Sequence, residues 1–170
     1  MLKLLAKNPD LDQTKSFVFI TTGHNNAKWV TKCLNSIREQ QYNRSKFKIV
    51  YVDDASADES LELAMDFKNN NPDINIMMTQ NEQNRGPAYS RHVACELVED
   101  HEICVFLDGD DWLIDVNTLG YLSNIYNMKD LYATFGSFEG SGEKGKQEKW
   151  QYNKWVEYSR AGDNYFPHLR

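Results

Sequence analysis

Runs of apolar residues of strand length break off into polar turns, and each turn is followed by a helical pattern. The runs are Phe17-Val18-Phe19-Ile20, Phe47-Lys48-Ile49-Val50-Tyr51-Val52 and Ile103-Cys104-Val105-Phe106-Leu107, with a weaker one at Ile74-Asn75-Ile76-Met77-Met78-Thr79. A continuous apolar run, without in-out alternation, suits a strand covered on both faces. Strand–helix alternation repeated three times demands crossover connections. These are right-handed and lay the strands parallel. The expected fold class is therefore α/β, with a mainly parallel central sheet flanked by helices.

The helices are read from their stripes. After the polar turn 21–26, Trp29, Cys33 and Ile37 share one face, which Val30 and Leu34 widen, and Asn25 or Asn26 is the expected N-cap. A second helix is expected over 57–70, with Leu61, Ala64, Met65 and Lys68 at helical spacing and Pro72 beyond its end. Pro87 suits the first position of a third helix, where its missing donor costs nothing. That helix is expected to run to about Glu99 with Tyr89, Val93 and Leu97 on one face. A short helix at 116–127 and a fifth strand at 131–136 complete the pattern. Residues 139–149 contain no apolar side chain and three glycines, which reads as a mobile loop.

The chain has 170 residues, enough for one domain, and a net charge of −6. That charge argues against a general nucleic-acid binder, which would present a basic face. Cys33, Cys95 and Cys104 are widely spaced within apolar patterns and read as small core residues. A reducing compartment, the cytoplasm, is the simpler expectation. No stretch reaches the length of a membrane span.

The ends of three expected strands carry polar groups: Thr22, His24 and Asn25; Asp53 and Asp54; Asp108, Asp110 and Asp111. In a parallel sheet these ends lie along one edge, where ligands of such folds bind. Like charges gathered beyond a buried strand are costly unless something positive joins them. A divalent cation with oxygen ligands would do so, sharing itself with a phosphate-bearing ligand. The plainer alternative is an acidic turn in which Asp110 or Asp111 merely caps a helix. Only Gly23 follows the first strand, so neither a dinucleotide fingerprint nor a P-loop is present. Arg85 and Arg91, near the start of the third helix, are the basic candidates for phosphate contacts.

Three segments resemble family 2 glycosyltransferases of the GT-A fold: 21–56, ending in Val52-Asp53-Asp54-Ala55-Ser56; 84–94, with His92 where asparagine is usual; and 105–112, similar to a D-x-D metal motif. The resemblance implies transfer of a sugar from a UDP-linked donor to an acceptor hydroxyl, with inversion at the anomeric carbon. It implies that Asp54 accepts from the uracil ring N–H, with Thr22 and Asp53 beside it. Arg91 would support the base or diphosphate and Asp108 the ribose or a metal-bound water, while His24, Asn25, Arg85 and Gly109 are further candidates for nucleotide-sugar binding. Asp110, supported by Asp108 and Asp111, would hold manganese or magnesium. His168 is a further candidate ligand for that metal.

The resemblance also marks what is short. The nucleotide-sugar-binding half would occupy about 16–136, leaving 137–170 as a reduced acceptor half. The acidic general base of this family has no clear counterpart; Glu139, Glu157 and Asp163 are the weak candidates. A loop near 139–149 would close over the bound donor. The chain would be a minimal enzyme or one module of a longer polypeptide, acting on a glycan, protein or lipid. Two competing readings are a nucleotidyltransferase, which would want a glycine-rich loop bearing a lysine where only Lys28 is near, and a nucleotide-sugar-binding module without a complete acceptor half.

Overall fold

The computed structural model describes residues 11–128, 131–134, 136, 138–141 and 147–150. The chain divides after Ile125 into two compact units. The first unit is built on β1 (Ser16–Gly23), α1 (Ala27–Arg38), β2 (Phe47–Asp53), α2 (Ser60–Asn70), β3 (Asn75–Gln80), α3 (Pro87–Cys95) and β4 (Glu102–Phe106); α4 (Thr118–Met128) runs across the division. All four strands are parallel, in the order β3-β2-β1-β4. The order reverses between β1 and β4. Beyond the carboxyl ends of strands at such a reversal the chain leaves room for a crevice, although β1 and β4 themselves stay paired.

Alternation along the central strands sorts their side chains to two faces. Phe17, Phe19, Phe47, Ile49 and Tyr51 pack with Val30, Leu34 and Ile37 of α1, Ala64 and Phe67 of α2, and Leu119 of α4. Val18, Ile20, Val50 and Val52 face the other way and pack with Ala94 of α3. β1 and β2 are covered on both sides, as continuous apolar runs require.

Several expectations need correction. β4 was expected to be buried, but it is the edge of the sheet among the described strands, and Phe106 is 56% exposed. α2 starts at Ser60 rather than Ala57, because Asp58 accepts from the Ser60 N–H and hydroxyl and punctuates the chain there. Its buried face is Ser60, Ala64 and Phe67, while Met65 is 51% exposed. α3 ends at Cys95, and its buried residues are Ser90 and Ala94, not Tyr89 and Leu97, which are exposed. Small side chains let that helix lie close to the sheet. Cys33 is buried but Cys95 is exposed, so the three cysteines are not uniformly core.

In the second unit the fifth strand expected at 131–136 reduces, among its described residues, to an isolated bridge at Ala133. The segment expected to be a loop contains β5 (Phe138–Ser141) and β6 (Gln147–Trp150), an antiparallel pair with Phe138 opposite Trp150. Backbone pairing needs no apolar side chain within the 139–149 window, so the absence of such residues there misled. None of the helices among the described residues is long and apolar enough to cross a membrane.

Candidate functional site

Two glycines allow the ends of β1 and β4 to meet. A Cβ on Gly109 would stand 2.2 Å from Nδ2 of Asn26 and 3.0 Å from the carbonyl oxygen of Thr22. A Cβ on Gly23 would stand 2.6 Å from Oδ1 of Asn26. The Asn26 amide thus fills the space that two side chains would otherwise need. Beyond β4, Leu107 N–H donates to Ile20 O at 3.1 Å and Gly109 N–H to Thr22 O at 2.9 Å. These bonds hold the acidic turn beside the end of β1.

Asn26 occupies the N-cap position of α1, yet its side chain makes no capping bond. The free N–H groups there are met from α2's side instead. Ser60 Oγ accepts from Asn26 N–H at 2.8 Å, and Asp58 Oδ2 from Ala27 N–H at 3.1 Å. Asn26 Nδ2 is buried without a partner among the described residues.

The two aspartates at the end of β2 have different tasks. Asp53 is wholly buried; its Oδ2 accepts from Ser56 N–H at 2.9 Å and from Gln80 Nε2 at 3.0 Å. It holds the turn in which Ala55 takes a φ of +56°, a left-handed conformation costing alanine about 1–2 kcal/mol. Asp54 is 3% exposed and points toward the crevice side. Its Oδ1 accepts from Asn81 Nδ2 at 2.7 Å and Arg85 N–H at 3.0 Å, and its Oδ2 from Gly86 N–H at 2.7 Å. Burial alone would raise its pKa. The bonds from Arg85, Asn81, Gly86 and Ser90 outweigh burial and hold it below the usual carboxylate range.

His24 is fixed at both ring nitrogens. Nδ1 donates to Asp54 O at 2.8 Å, and Nε2 accepts from Asn25 Nδ2 at 3.1 Å. The amide of Asn25 is oriented by its Oδ1, which accepts from Ala57 N–H at 2.8 Å. Asn25, with a φ of +52°, thus ties the turn after β1 to the turn after β2.

At the end of β4, Asp108 pairs with the guanidinium of Arg91. Asp110 is exposed at the crevice. The Asp111 carboxyl is pushed above its ordinary value by burial and by the charges of Asp110 and Asp108. Thr22, Gly23, His24, Asn26, Asp54, Pro87, Asp108 and Asp110 together line a crevice of about 220 Å³. A wider hollow of about 660 Å³ beside the start of α2 has acidic walls, including Asp58, Glu59 and Glu62, and no basic group to receive a phosphate.

Among the expected site residues, Thr22, His24, Asp54, Asp108 and Asp110 line this crevice, with Gly109 and Asp111 adjoining them in the chain. Asp53 and Asn25 hold turns. Arg85 lays its guanidinium 4.7 Å from the Tyr89 ring centroid. Glu139 lies on β5 in the second unit, and Glu157, Asp163 and His168 fall outside the described residues. Asn26, Asn81 and Ser90 were missed. The sequence marks Asn26 only as a cap, and the other two have polar side chains in a loop and on a helix, which carry no pattern.

No three acidic, histidine or cysteine side chains among the described residues are arranged about one point as a finished metal site. The donor set nevertheless suits a hard cation: three carboxylates on one short turn, with one carboxyl disfavoured in its charged form by the others. A divalent ion held by Asp108, Asp110 and Asp111 would relieve that repulsion.

The sequence profile of glycosyl transferase family 2 matches residues 18–168. A poly(ribitol-phosphate) beta-N-acetylglucosaminyltransferase, TarS of Staphylococcus aureus, is 34% identical over 98 residues, covering 57% of this chain and 16% of that protein. Its 1–349 fragment, solved with UDP-GlcNAc, superposes with a TM-score of 0.60 and 32% identity over 66% of this chain and 31% of that one. A teichoic acid poly(glycerol phosphate) polymerase of Staphylococcus epidermidis is 35% identical over 119 residues, 70% of this chain and 16% of its own length. A mannosyltransferase of Pyrobaculum calidifontis, solved with GDP-Man and Mn2+, superposes with a TM-score of 0.60 and 28% identity, covering 69% of this chain and 35% of that one. The parallel sheet with its flanking helices is thus of the GT-A type. The chain spans about a sixth of the length of these two curated relatives.

Proposed function

The chain belongs to glycosyl transferase family 2, and from that premise we propose that it binds a UDP-linked sugar and takes part in transferring the sugar to an acceptor hydroxyl. The observation that carries this reading is the crevice at the β1/β4 reversal, which brings Thr22, His24, Asp54, Asp108 and Asp110 to one place. Carboxylates accept from ribose and sugar hydroxyls and from base N–H groups. His24 and Asn25 keep the wall on the β1 side rigid. Asp54 orders the 81–86 loop and so places the start of α3, whose backbone N–H groups favour an anion.

A divalent cation, manganese or magnesium, would be held by Asp108, Asp110 and Asp111, and when bound it would neutralise charge on the leaving diphosphate. Direct displacement, with inversion at the anomeric carbon, is the stereochemistry proposed for the transfer. UDP is favoured over GDP by the likeness to TarS, and two relatives named for polyol-phosphate polymers make such a polymer the acceptor class to test first.

Titration calorimetry with UDP and GDP, each with and without manganese, tests the reading. UDP should bind more tightly than GDP, and manganese should strengthen UDP binding. Asp110→Asn should leave the melting temperature unchanged and abolish the gain from manganese. Equal UDP affinity for variant and parent at saturating manganese would remove Asp110 from the site.

A further inference from the structure

One surface stands apart from the residues that line the crevice. Trp112 follows Asp111 directly in the chain, and its ring stacks on Trp29 of α1 with centroids 5.7 Å apart and planes 26° from parallel. Lys32 Nζ stands 3.2 Å from the Trp112 centroid and 6.0 Å from that of Trp29, while Lys28 Nζ stands 4.4 Å from the Trp29 centroid. Both tryptophans are half-buried and both lysines exposed. Neither lysine belongs to an ion pair among the described residues, in a chain whose net charge is −6. The stack alone would pin the acidic turn to α1. Cation–π attraction draws both ammonium groups onto it against the repulsion of like charges at i and i+4, yet gives neither an anionic partner.

We infer that the Trp29–Trp112 ledge with Lys28 and Lys32 is the docking surface for an acceptor chain of phosphodiester-linked polyol. Two chemistries meet there. The aromatic faces offer apolar area to the C–H groups of a polyol or sugar. The ammonium groups, drawn over the rings, keep donors for phosphate oxygens and lose less freedom when they bind. The carboxylates of the turn next to the ledge accept from hydroxyls, which leaves the lysines as the groups of the ledge that receive phosphate. A polymer that alternates the two would lie with a phosphate at the lysines and a neighbouring hydroxyl toward the crevice. A neutral glycan would leave the lysines unanswered. The inference rests on the glycosyltransferase reading for the identity of the crevice, but the ledge is a separate surface and is tested separately.

The test uses the 170-residue chain, its Lys28→Glu/Lys32→Glu variant, and three probes: UDP with manganese, poly(glycerol phosphate), and uncharged dextran. Both proteins should bind UDP alike, since neither lysine lines the crevice. The parent should bind poly(glycerol phosphate) with an affinity that falls as sodium chloride rises, and the variant should bind it about tenfold or more weakly. Dextran should bind neither. Failure of UDP to bind the parent would count against the glycosyltransferase reading. With UDP bound, equal affinity of parent and variant for the polyol phosphate, no binding of it by either, or equally tight binding of dextran would each overturn the ledge.

Discussion

Gly109 shows how much the acidic turn depends on one missing methyl group. It is buried, its N–H is bonded to Thr22 O, and the space a Cβ would take is filled by Asn26 and by backbone. The Asn26 amide can swing, but the Thr22 carbonyl belongs to β1 and cannot. Gly109→Ala should cost about 1–3 kcal/mol, as overpacking does, and displace Asp108 and Asp110 from the crevice. Urea denaturation and UDP titration on the same variant should both show the loss. Unchanged UDP affinity would mean the turn's position does not matter to the ligand. At this scale the sequence was legible in part. Polar residues after three apolar runs had to collect at one sheet edge, and they do. What could not be read was the division of labour. Asp53 and Asp54 are neighbours of one type, yet one is wholly buried, tying its own turn to Gln80 at the end of β3, and the other braces the loop before α3 from the crevice side. Neighbouring residues at a strand end point to opposite sides, and only the register of the sheet says which side holds the crevice.

The strands were legible as elements, since continuous apolar runs mean two covered faces. Their exceptions were not. Lys48 sits within the β2 run, 8% exposed, and its Nζ meets Glu102 Oε2 of β4 at 2.8 Å. The pairing of both strands with β1 brings residues 54 positions apart within reach, which spacing along the chain cannot reveal. Removing one member of a buried pair leaves the other charge uncompensated, a loss of about 3–5 kcal/mol. Glu102→Ala should lower stability to urea by about that much, and Lys48→Met/Glu102→Leu should recover most of it. A loss below about 1 kcal/mol in the single variant would show that Lys48 reaches water unaided. The helices were legible by position more than by face. Ala64 of α2 is buried as its stripe implies, but Met65, Tyr89 and Leu97 face outward, and the buried faces take Phe67 from α2 and Ser90 and Ala94 from α3 instead. On α3 close packing favours small residues, and these have little weight in a hydrophobic pattern.

For the molecule as a whole, the turns that build the crevice also govern its response to acid. Asp54 and Asp58 both have carboxyls held below the ordinary range. In each, burial pulls upward and hydrogen bonds more than compensate: from Arg85, Asn81, Gly86 and Ser90 to Asp54, and from Ser60 and Ala27 to Asp58. A carboxylate whose pKa is lower folded than unfolded adds stability that is complete above the unfolded value, near 3.9 for aspartate, and vanishes as pH falls through the folded value. The chain should therefore keep a steady melting temperature above about pH 5 and lose stability below about pH 4, with these two turns failing together. Asp54→Asn removes one contribution. Its deficit relative to the parent should be largest near neutrality and shrink as the pH drops below about 4, because the parent loses the same charged bonds there. Melting curves of the two proteins across that range give the comparison directly. A deficit that stays constant down to about pH 2 would mean the Asp54 bonds contribute equally when protonated, and the charge of the carboxylate would then have no part in ordering the loop 81–86.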